Sequence, residues 1–108
     1  LIGASGAFDT IYSLIKTEMP LKYQADELYS REIQLEDFEI ISKKIIHSTM
    51  AGLGMMKGLE PARIEMIIYA SLFINYVIKK LSLRRLLQTE FTLKEGVIWR
   101  WTNKIKII

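Results

Sequence analysis

The residues whose types and spacing best fit a chemical role are two glycines near the start of the chain. Gly3 and Gly6 frame the segment GASG, which follows two apolar residues and precedes a predicted helix. Glycines at this spacing let backbone N–H groups at a helix start approach a phosphate, and the Ser5 hydroxyl can add a hydrogen bond. The same short motif also fits a plain turn with a helix cap. Asp9 favours this second interpretation, because a carboxylate in the first helical turn already lies at the positive helix end.

The sequence offers few other reactive side chains. It has no cysteine and one histidine, His47, which excludes thiolate and multi-histidine metal sites. The acidic residues fall mostly on predicted helix surfaces, so neither a convergent acid–base pair nor a nucleophile with its base can be assembled. We therefore predict no catalytic residue and no metal ligand in this chain.

A weak aromatic and basic patch lies near the end of the chain. Trp99-Arg100-Trp101 resembles a nucleic-acid contact, but Trp101 falls on the predicted buried row of the last helix, so core packing accounts for one of the two rings. The net charge of +3 and a pI near 9.2 suit an anionic ligand without requiring one. We predict no nucleic-acid partner.

The composition is that of one folded domain. Half of the 108 residues are hydrophobic and 25% are charged, which is typical of globular rather than disordered chains. Residues 1 to 25 lack the basic start, apolar stretch and cleavage site of a secretory signal. Together with the absence of cysteine, this predicts a cytoplasmic location.

The first half of the chain alternates predicted helices with irregular segments. Apolar spacing predicts a short helix over residues 8–16 and an amphipathic helix over 36–48. Residues 20–34 show no clear period, so they are predicted to cross the surface with one helical turn. The glycine-rich residues 50–61 are predicted to form a loop, and Pro61 fits the first turn of the next helix.

The segment from Pro61 to Leu81 is the most apolar in the sequence. Its apolar residues surround nearly the whole helix, which predicts burial on several sides. A membrane span is the alternative, but Glu65 and Asn75 interrupt the stretch and two lysines end it, whereas a span needs about 20 apolar residues. We predict no membrane partner.

A strand and a helix are predicted at the end of the chain. Residues 86–93 alternate apolar and polar side chains, as in a strand with one polar face that includes Gln88. Thr92 and Glu95 fit the capping box of a helix that starts at Leu93. The predicted buried row of this helix is Leu93, Val97, Trp101, Ile105 and Ile108.

This order of elements leaves the sheet incomplete. Two separated strands do not make a stable sheet, which needs about three strands or cover from helices. Further strands are therefore expected from sequence that precedes residue 1. A helical domain with a small two-stranded ribbon is the alternative.

Three stretches resemble motifs of the exopolyphosphatase and guanosine-pentaphosphate phosphatase (Ppx/GppA) family, in the actin-like ATPase superfamily. LIGASGAFDT resembles the glycine turn of its second domain. GLEPARIEMIIYA is similar to the family's Gly-Leu-x-Pro-x-Arg-x-Asp segment, which precedes a long apolar helix. TEFTLKEGVI is similar to the family's closing strand and the Leu-Arg/Lys-Glu-Gly-Val/Leu element that follows it. The resemblance implies a helix-rich α/β fold. Residues 1–108 would be one partial domain, the C-terminal part of the second domain of an actin-like, ribonuclease-H-like module.

The resemblance also implies a phosphoanhydride hydrolase that acts on inorganic polyphosphate or guanosine pentaphosphate with magnesium. In this family the substrate lies between two domains, and the phosphate loops and metal-binding carboxylates precede the matched segment. By resemblance, Gly3, Ser5 and Gly6 border the phosphate cleft, whereas Arg63 and Glu95 are motif positions with a mainly structural role. None is a catalytic base, so this segment alone is expected to be inactive.

Two departures from the family pattern keep alternatives open. Ala7 stands where threonine is common, and Glu65 replaces the usual aspartate. One alternative is a catalytically inactive relative that binds a nucleotide or polyphosphate. The other is a helical interaction module, a homodimer that buries the apolar helix at its interface. In the main interpretation the partners are a phosphate-rich small molecule or polyphosphate and a missing N-terminal domain.

Overall fold

The computed structural model describes residues 1–4, 6–23, 30–57 and 59–107, with the backbone alone for 104–107. Its elements in chain order are β1 (Ile2–Ala4), α1 (Gly6–Glu18), β2 (Ser30–Ile33), α2 (Leu35–His47), α3 (Met50–Gly54), α4 (Ile64–Lys80), β3 (Leu86–Thr89) and α5 (Leu93–Ile107). A 3₁₀ turn at Pro61–Arg63 leads directly into α4. The helix-rich α/β fold class is confirmed.

The three strands form one mixed sheet with β3 in the centre. The order is β1-β3-β2, in which β1 runs parallel and β2 antiparallel to β3. Gly3 pairs with Gln88, and Arg31 pairs with Gln88 from the other side. The sheet therefore joins the first residues of the chain to its last quarter.

Two predictions about the sheet are wrong. Residues 30–33 form strand β2 rather than a surface crossing, because their pairing with β3 supplies the order that their own sequence pattern does not show. The strand predicted over residues 86–93 covers only Leu86–Thr89, and Gln88 on its polar face is buried, because α1 packs over β3 and Asp9 accepts a hydrogen bond from Gln88. Residues 24–29 of the predicted crossing lie outside the described residues.

Helices α1 and α2 confirm the predicted helices and supply most of the core. Both pack against α4, and α1 also contacts β3. The buried apolar side chains of α1 and α2 include Ile11, Leu14, Ile15, Phe38, Ile41 and Ile45.

The predicted loop over residues 50–61 contains a short helix. The Thr49 hydroxyl accepts a hydrogen bond of 3.0 Å from the Gly52 N–H and caps α3. Leu53 from this helix is fully buried. The glycine content obscured the helix in the sequence pattern, because Gly52 and Gly54 lower its helical propensity.

The prediction that α4 is buried on several sides is wrong. Its buried residues are Ile67, Ser71 and Ile74, which lie on one face. Phe73 and Tyr69, on another face, are exposed. Apolar residues lie on nearly all sides of α4. Within the described part of the chain, α1 and α2 cover one side of this helix, so apolar residues on its other sides stay exposed.

The predicted buried row of α5 is also contradicted where its side chains are described. Leu93, Val97 and Trp101 are all exposed, because α5 lies at the margin of the packed elements. The side chains of Ile105 and Ile108 lie outside the described residues. Core packing therefore does not account for Trp101.

One helix in the described residues is long and apolar enough to cross a membrane. It spans Pro61–Lys80 and includes the 3₁₀ turn and α4. A partly buried helix of a soluble protein meets the same criteria.

Candidate functional site

Two glycines lie at the ends of the turn between β1 and α1, and each position requires glycine for a different physical reason. Gly3 is buried, and a Cβ added there would lie 1.9 Å from Cδ1 of Phe8. Gly6 begins α1 with a φ of 51°, a left-handed conformation that favours glycine. Ser5 lies outside the described residues, so the role of its hydroxyl stays a prediction.

Arg63 connects this turn to the segment before α4. Its Nη1 donates hydrogen bonds to the Gly6 carbonyl oxygen at 3.1 Å and to the Thr10 hydroxyl at 3.3 Å. Its Nε lies 3.4 Å from a carboxylate oxygen of Glu60. The structure thus brings Gly6 and Arg63 together, although 57 positions separate them in sequence.

A small recess lies beside the start of α1. It has a volume of about 150 Å³ and is lined by Asp9, Thr10, Ser13, Glu60 and Arg63. Arg63 lines this recess with a side chain that its hydrogen bond to the Gly6 carbonyl oxygen holds in place.

A larger polar cavity of about 500 Å³ continues from Asp9 along α1 to the start of α5. Its lining residues are Asp9, Tyr12, Ser13, Lys16, Arg31, Gln88, Glu90, Thr92, Lys94 and Glu95. The cavity carries side chains of both charges. This arrangement suits a polar ligand better than an apolar one.

A hydrogen-bond network crosses the floor of this cavity. Gln88 Nε2 donates to Asp9 Oδ1 at 2.8 Å, and Arg31 Nη1 donates to Gln88 Oε1 at 3.2 Å. Arg31 also pairs with Glu90 at 3.1 Å and lies 4.9 Å from the centre of the Tyr12 ring. The network fixes α1 to β3 and β2.

Sequence reasoning missed this network. Arg31 lies in the segment over residues 20–34 that shows no clear period, and Gln88 was assigned to the polar face of a strand without a partner. The signal that was available is the position of Gln88 within a short strand between two apolar leucines and a threonine. A glutamine in such a strand predicts a hydrogen-bond network only when the strand is known to be central and covered, because a buried amide needs hydrogen-bond partners.

Glu95 serves mainly to begin α5, as predicted from the capping box. Its carboxylate accepts a hydrogen bond of 3.0 Å from the Thr92 N–H and another from the Thr92 hydroxyl. The hydrogen bond from the Thr92 side chain holds the pKa of Glu95 below its usual value, against the effect of burial. The carboxylate is thus ionised at neutral pH and is already engaged.

The described residues contain no group of three or more histidine, cysteine, aspartate or glutamate side chains placed to hold a metal ion. Magnesium prefers several oxygen ligands in octahedral geometry. The donor set in this part of the chain does not provide them, so no chemical step is assigned to a metal held here.

The sequence model of the Ppx/GppA phosphatase family matches residues 1–105. The chain belongs to the Ppx/GppA phosphatase family. Family membership supports a phosphatase-type role and confirms the resemblance carried by the three motifs.

A solved structure agrees with this assignment. The fold is similar to the crystal structure of an exopolyphosphatase from Cytophaga hutchinsonii, with a TM-score of 0.84 and 28% sequence identity. The match covers 96% of this chain and 33% of the exopolyphosphatase, so the chain spans about a third of the length of that protein. No curated protein matches the sequence.

The structure separates the predicted site residues of this Ppx/GppA chain into two groups. Gly3, Gly6 and Arg63 surround the turn between β1 and α1. Glu95 lies at the far end of the larger cavity, on α5. The phosphate-binding role of the turn stays a prediction, and Arg63 and Glu95 make the structural contacts described above.

Proposed function

We propose that this chain is part of a phosphoanhydride hydrolase that acts on inorganic polyphosphate or guanosine pentaphosphate. In this proposal the turn from Gly3 to Gly6 forms one wall of the phosphate cleft. The catalytic carboxylates and the magnesium ligands lie on sequence outside residues 1–108, in a domain that completes the cleft. A cytoplasmic location belongs to the same proposal.

The observation that carries the proposal is the left-handed Gly6 at the start of a 13-residue helix. The first N–H groups of a helix lack partners within it and carry partial positive charge. A glycine at their entry leaves no side chain between these groups and a phosphate oxygen, and a Cβ built at Gly6 meets nothing within 4 Å. The open space in front of Gly6 supports a cleft on this side.

The first test uses the chain alone. With magnesium, the purified 108 residues should release no phosphate from polyphosphate or guanosine pentaphosphate. Magnesium-dependent turnover that survives purification and dialysis would contradict the location of the catalytic carboxylates. Tripolyphosphate should shift the backbone amide resonances of Gly3 and Gly6, and unchanged resonances would contradict the cleft wall.

A chimera provides the second test. Residues 1–108 replace the aligned third of the Cytophaga hutchinsonii exopolyphosphatase, and phosphate release is measured. Gly6→Val should lower kcat/KM at least tenfold, because a β-branched residue resists a φ of 51°. Gly96→Ala is the matched control, since a Cβ at Gly96 also meets open space and no positive φ is required. Equal kcat/KM for both variants would contradict the proposal.

A further inference from the structure

Gln88 of strand β3 contacts both sides of the glycine turn. It is 2% exposed. Its backbone lies opposite Gly3 in the pair of β1 with β3, and its side-chain Nε2 donates a hydrogen bond of 2.8 Å to Asp9 Oδ1. Gly3 lies just before the turn, and Asp9 lies in the first turn of α1. One buried residue thus contacts the chain where it enters the turn and the carboxylate beside the start of the helix.

The partners of Gln88 determine the direction of its side-chain amide. Oε1 accepts a hydrogen bond of 3.2 Å from Arg31 Nη1, whereas Nε2 faces the Asp9 carboxylate. A reversed amide would place its N–H groups against the guanidinium donors and its oxygen against the carboxylate. Arg31, opposite Gln88 on β2, therefore directs the donor of Gln88 toward Asp9.

The position of the Asp9 carboxylate decides how the start of α1 meets an anion. The first N–H groups of a helix lack helical partners and carry partial positive charge, so a carboxylate turned toward them takes the place of a phosphate oxygen. Asp9 is exposed and lines both the small recess and the larger cavity. Packing leaves this side chain room to turn, and the hydrogen bond from Gln88 holds it toward the sheet.

We infer that Gln88 is a positioning residue for phosphate binding at the glycine turn. It holds the Asp9 carboxylate against β3, away from the free N–H groups at the start of α1, and so leaves these groups to a phosphate oxygen. Gln88 acts through Asp9 and is assigned no contact with the phosphate. The inference rests on the proposed function, because it concerns the same phosphate cleft.

Titration of the isotope-labelled 108-residue chain with tripolyphosphate tests the inference, with Kd taken from the amide resonances of Gly3 and Gly6. Gln88→Met keeps an unbranched side chain of similar length without a donor. It should raise the Kd about fivefold, the effect of one carboxylate at a helix start. Gln34→Met is the matched control, because Gln34 is exposed and its side chain does not cap α2; its Kd should be unchanged. Circular dichroism checks that each variant is folded.

Asp9→Asn separates this role from a purely structural one, in which Gln88 only ties α1 to the sheet. Alone, Asp9→Asn should change the Kd by less than about twofold, because the carboxylate is already held away from the helix start. Added to Gln88→Met, it should return the Kd to within about twofold of the original, since no charge is left to compete with the phosphate. A structural role predicts instead that the double variant binds no better than Gln88→Met.

An exchange of the two groups provides a second pair of variants, which decides the question if Gln88→Met does not fold. Gln88→Glu keeps the size of the side chain and an oxygen for Arg31 but has no donor for Asp9, so it should weaken binding at least as much as Gln88→Met. Adding Asp9→Asn restores the original number of charges and a donor between positions 9 and 88. The Kd should then recover.

The outcomes distinguish this inference from the proposed function. If the original chain binds tripolyphosphate and the Gln88 variants bind it equally well, the inference is overturned and the proposed function stands. The same holds if binding is weakened but Asp9→Asn restores it in neither pair of variants. If tripolyphosphate moves neither the Gly3 nor the Gly6 resonance of the original chain, the proposed cleft wall is contradicted and the role of Gln88 is overturned with it.

Discussion

The hydroxyl of Tyr23 donates a hydrogen bond to the carboxylate of Asp37, and both side chains are buried. The same hydroxyl accepts a hydrogen bond of 3.1 Å from the Gln34 N–H. Lys22 Nζ lies 2.8 Å from the same carboxylate oxygen. These contacts hold the segment after α1 against the start of α2.

Removal of the Tyr23 hydroxyl should destabilise the fold. In Tyr23→Phe the Gln34 N–H loses its acceptor and the buried Asp37 loses a donor, which costs about 1–3 kcal/mol. Urea unfolding followed by tryptophan fluorescence or circular dichroism measures the loss. Tyr69→Phe, at an exposed position, should change the free energy of unfolding little. Equal free energies of unfolding for the two variants would contradict the expected contribution of the Tyr23 hydroxyl to stability.

Asp37 should make stability depend on acid pH. Burial favours the protonated carboxyl, but hydrogen bonds from Lys22 and Tyr23 outweigh it and hold the pKa of Asp37 below its usual value. The unfolded chain therefore takes up a proton more readily, near the ordinary aspartate pKa of about 3.9. The contribution of Asp37 is complete above that pH and is lost as pH falls through its lower folded pKa.

Denaturant unfolding from neutral pH to acid tests this dependence. Asp37→Asn should be less stable at neutral pH and should lose less stability on acidification. Glu36→Gln, next to it on the exposed side of α2, is the matched control. Parallel pH profiles for the original chain and Asp37→Asn would show that other carboxylates govern acid unfolding.

Gly3→Ala should destabilise the turn before α1. The new Cβ would lie about 2 Å from three atoms of the Phe8 ring, so the ring or the backbone must move at a cost of about 1–3 kcal/mol. The thermal midpoint should fall. Phe8→Leu combined with Gly3→Ala should recover part of the loss, because the smaller side chain can move away; additive effects of the two substitutions would contradict the predicted clash.

Arg63→Lys should show whether Arg63 stabilises the fold through the hydrogen bonds of its planar guanidinium group or through its positive charge alone. Lysine keeps the charge but cannot reach the Gly6 carbonyl, Thr10 and Glu60 together with a planar fork. We expect a loss of about 1 kcal/mol in the free energy of unfolding. Arg84→Lys is the control, because Arg84 makes no such side-chain contact with the residues that the structure describes. Full stability of Arg63→Lys would mean that charge alone suffices.

Local patterns in the sequence predicted the elements that depend on local interactions. Helices α1 and α2 have apolar stripes of helical period, and Thr92 with Glu95 marks the start of α5. Three motifs in order also identified the family. These signals are contained within short segments, so a single sequence is enough to find them.

Features that depend on distant partners were not predictable in the same way. Strand β2 is ordered by its pairing with β3, and the Arg31, Gln88 and Asp9 network joins three separate elements. The apolar residues of α4 and α5 were assigned to a core because hydrophobicity does not specify which faces are covered. For the candidate site, the sequence indicated Gly3, Gly6 and Arg63 but not the contact between Gly6 and Arg63.

The central position of β3 determines when the sheet can form. The Leu87 N–H donates to the Leu1 carbonyl oxygen at 2.9 Å, and β1 pairs with no strand other than β3 among the described residues, although most of the described chain lies between the two strands. Closing so long a loop is slow compared with forming helices from neighbouring residues. During synthesis β1 must therefore wait for its partner until β3 has left the ribosome. The glycine turn that follows β1 is among the last parts to acquire its final shape.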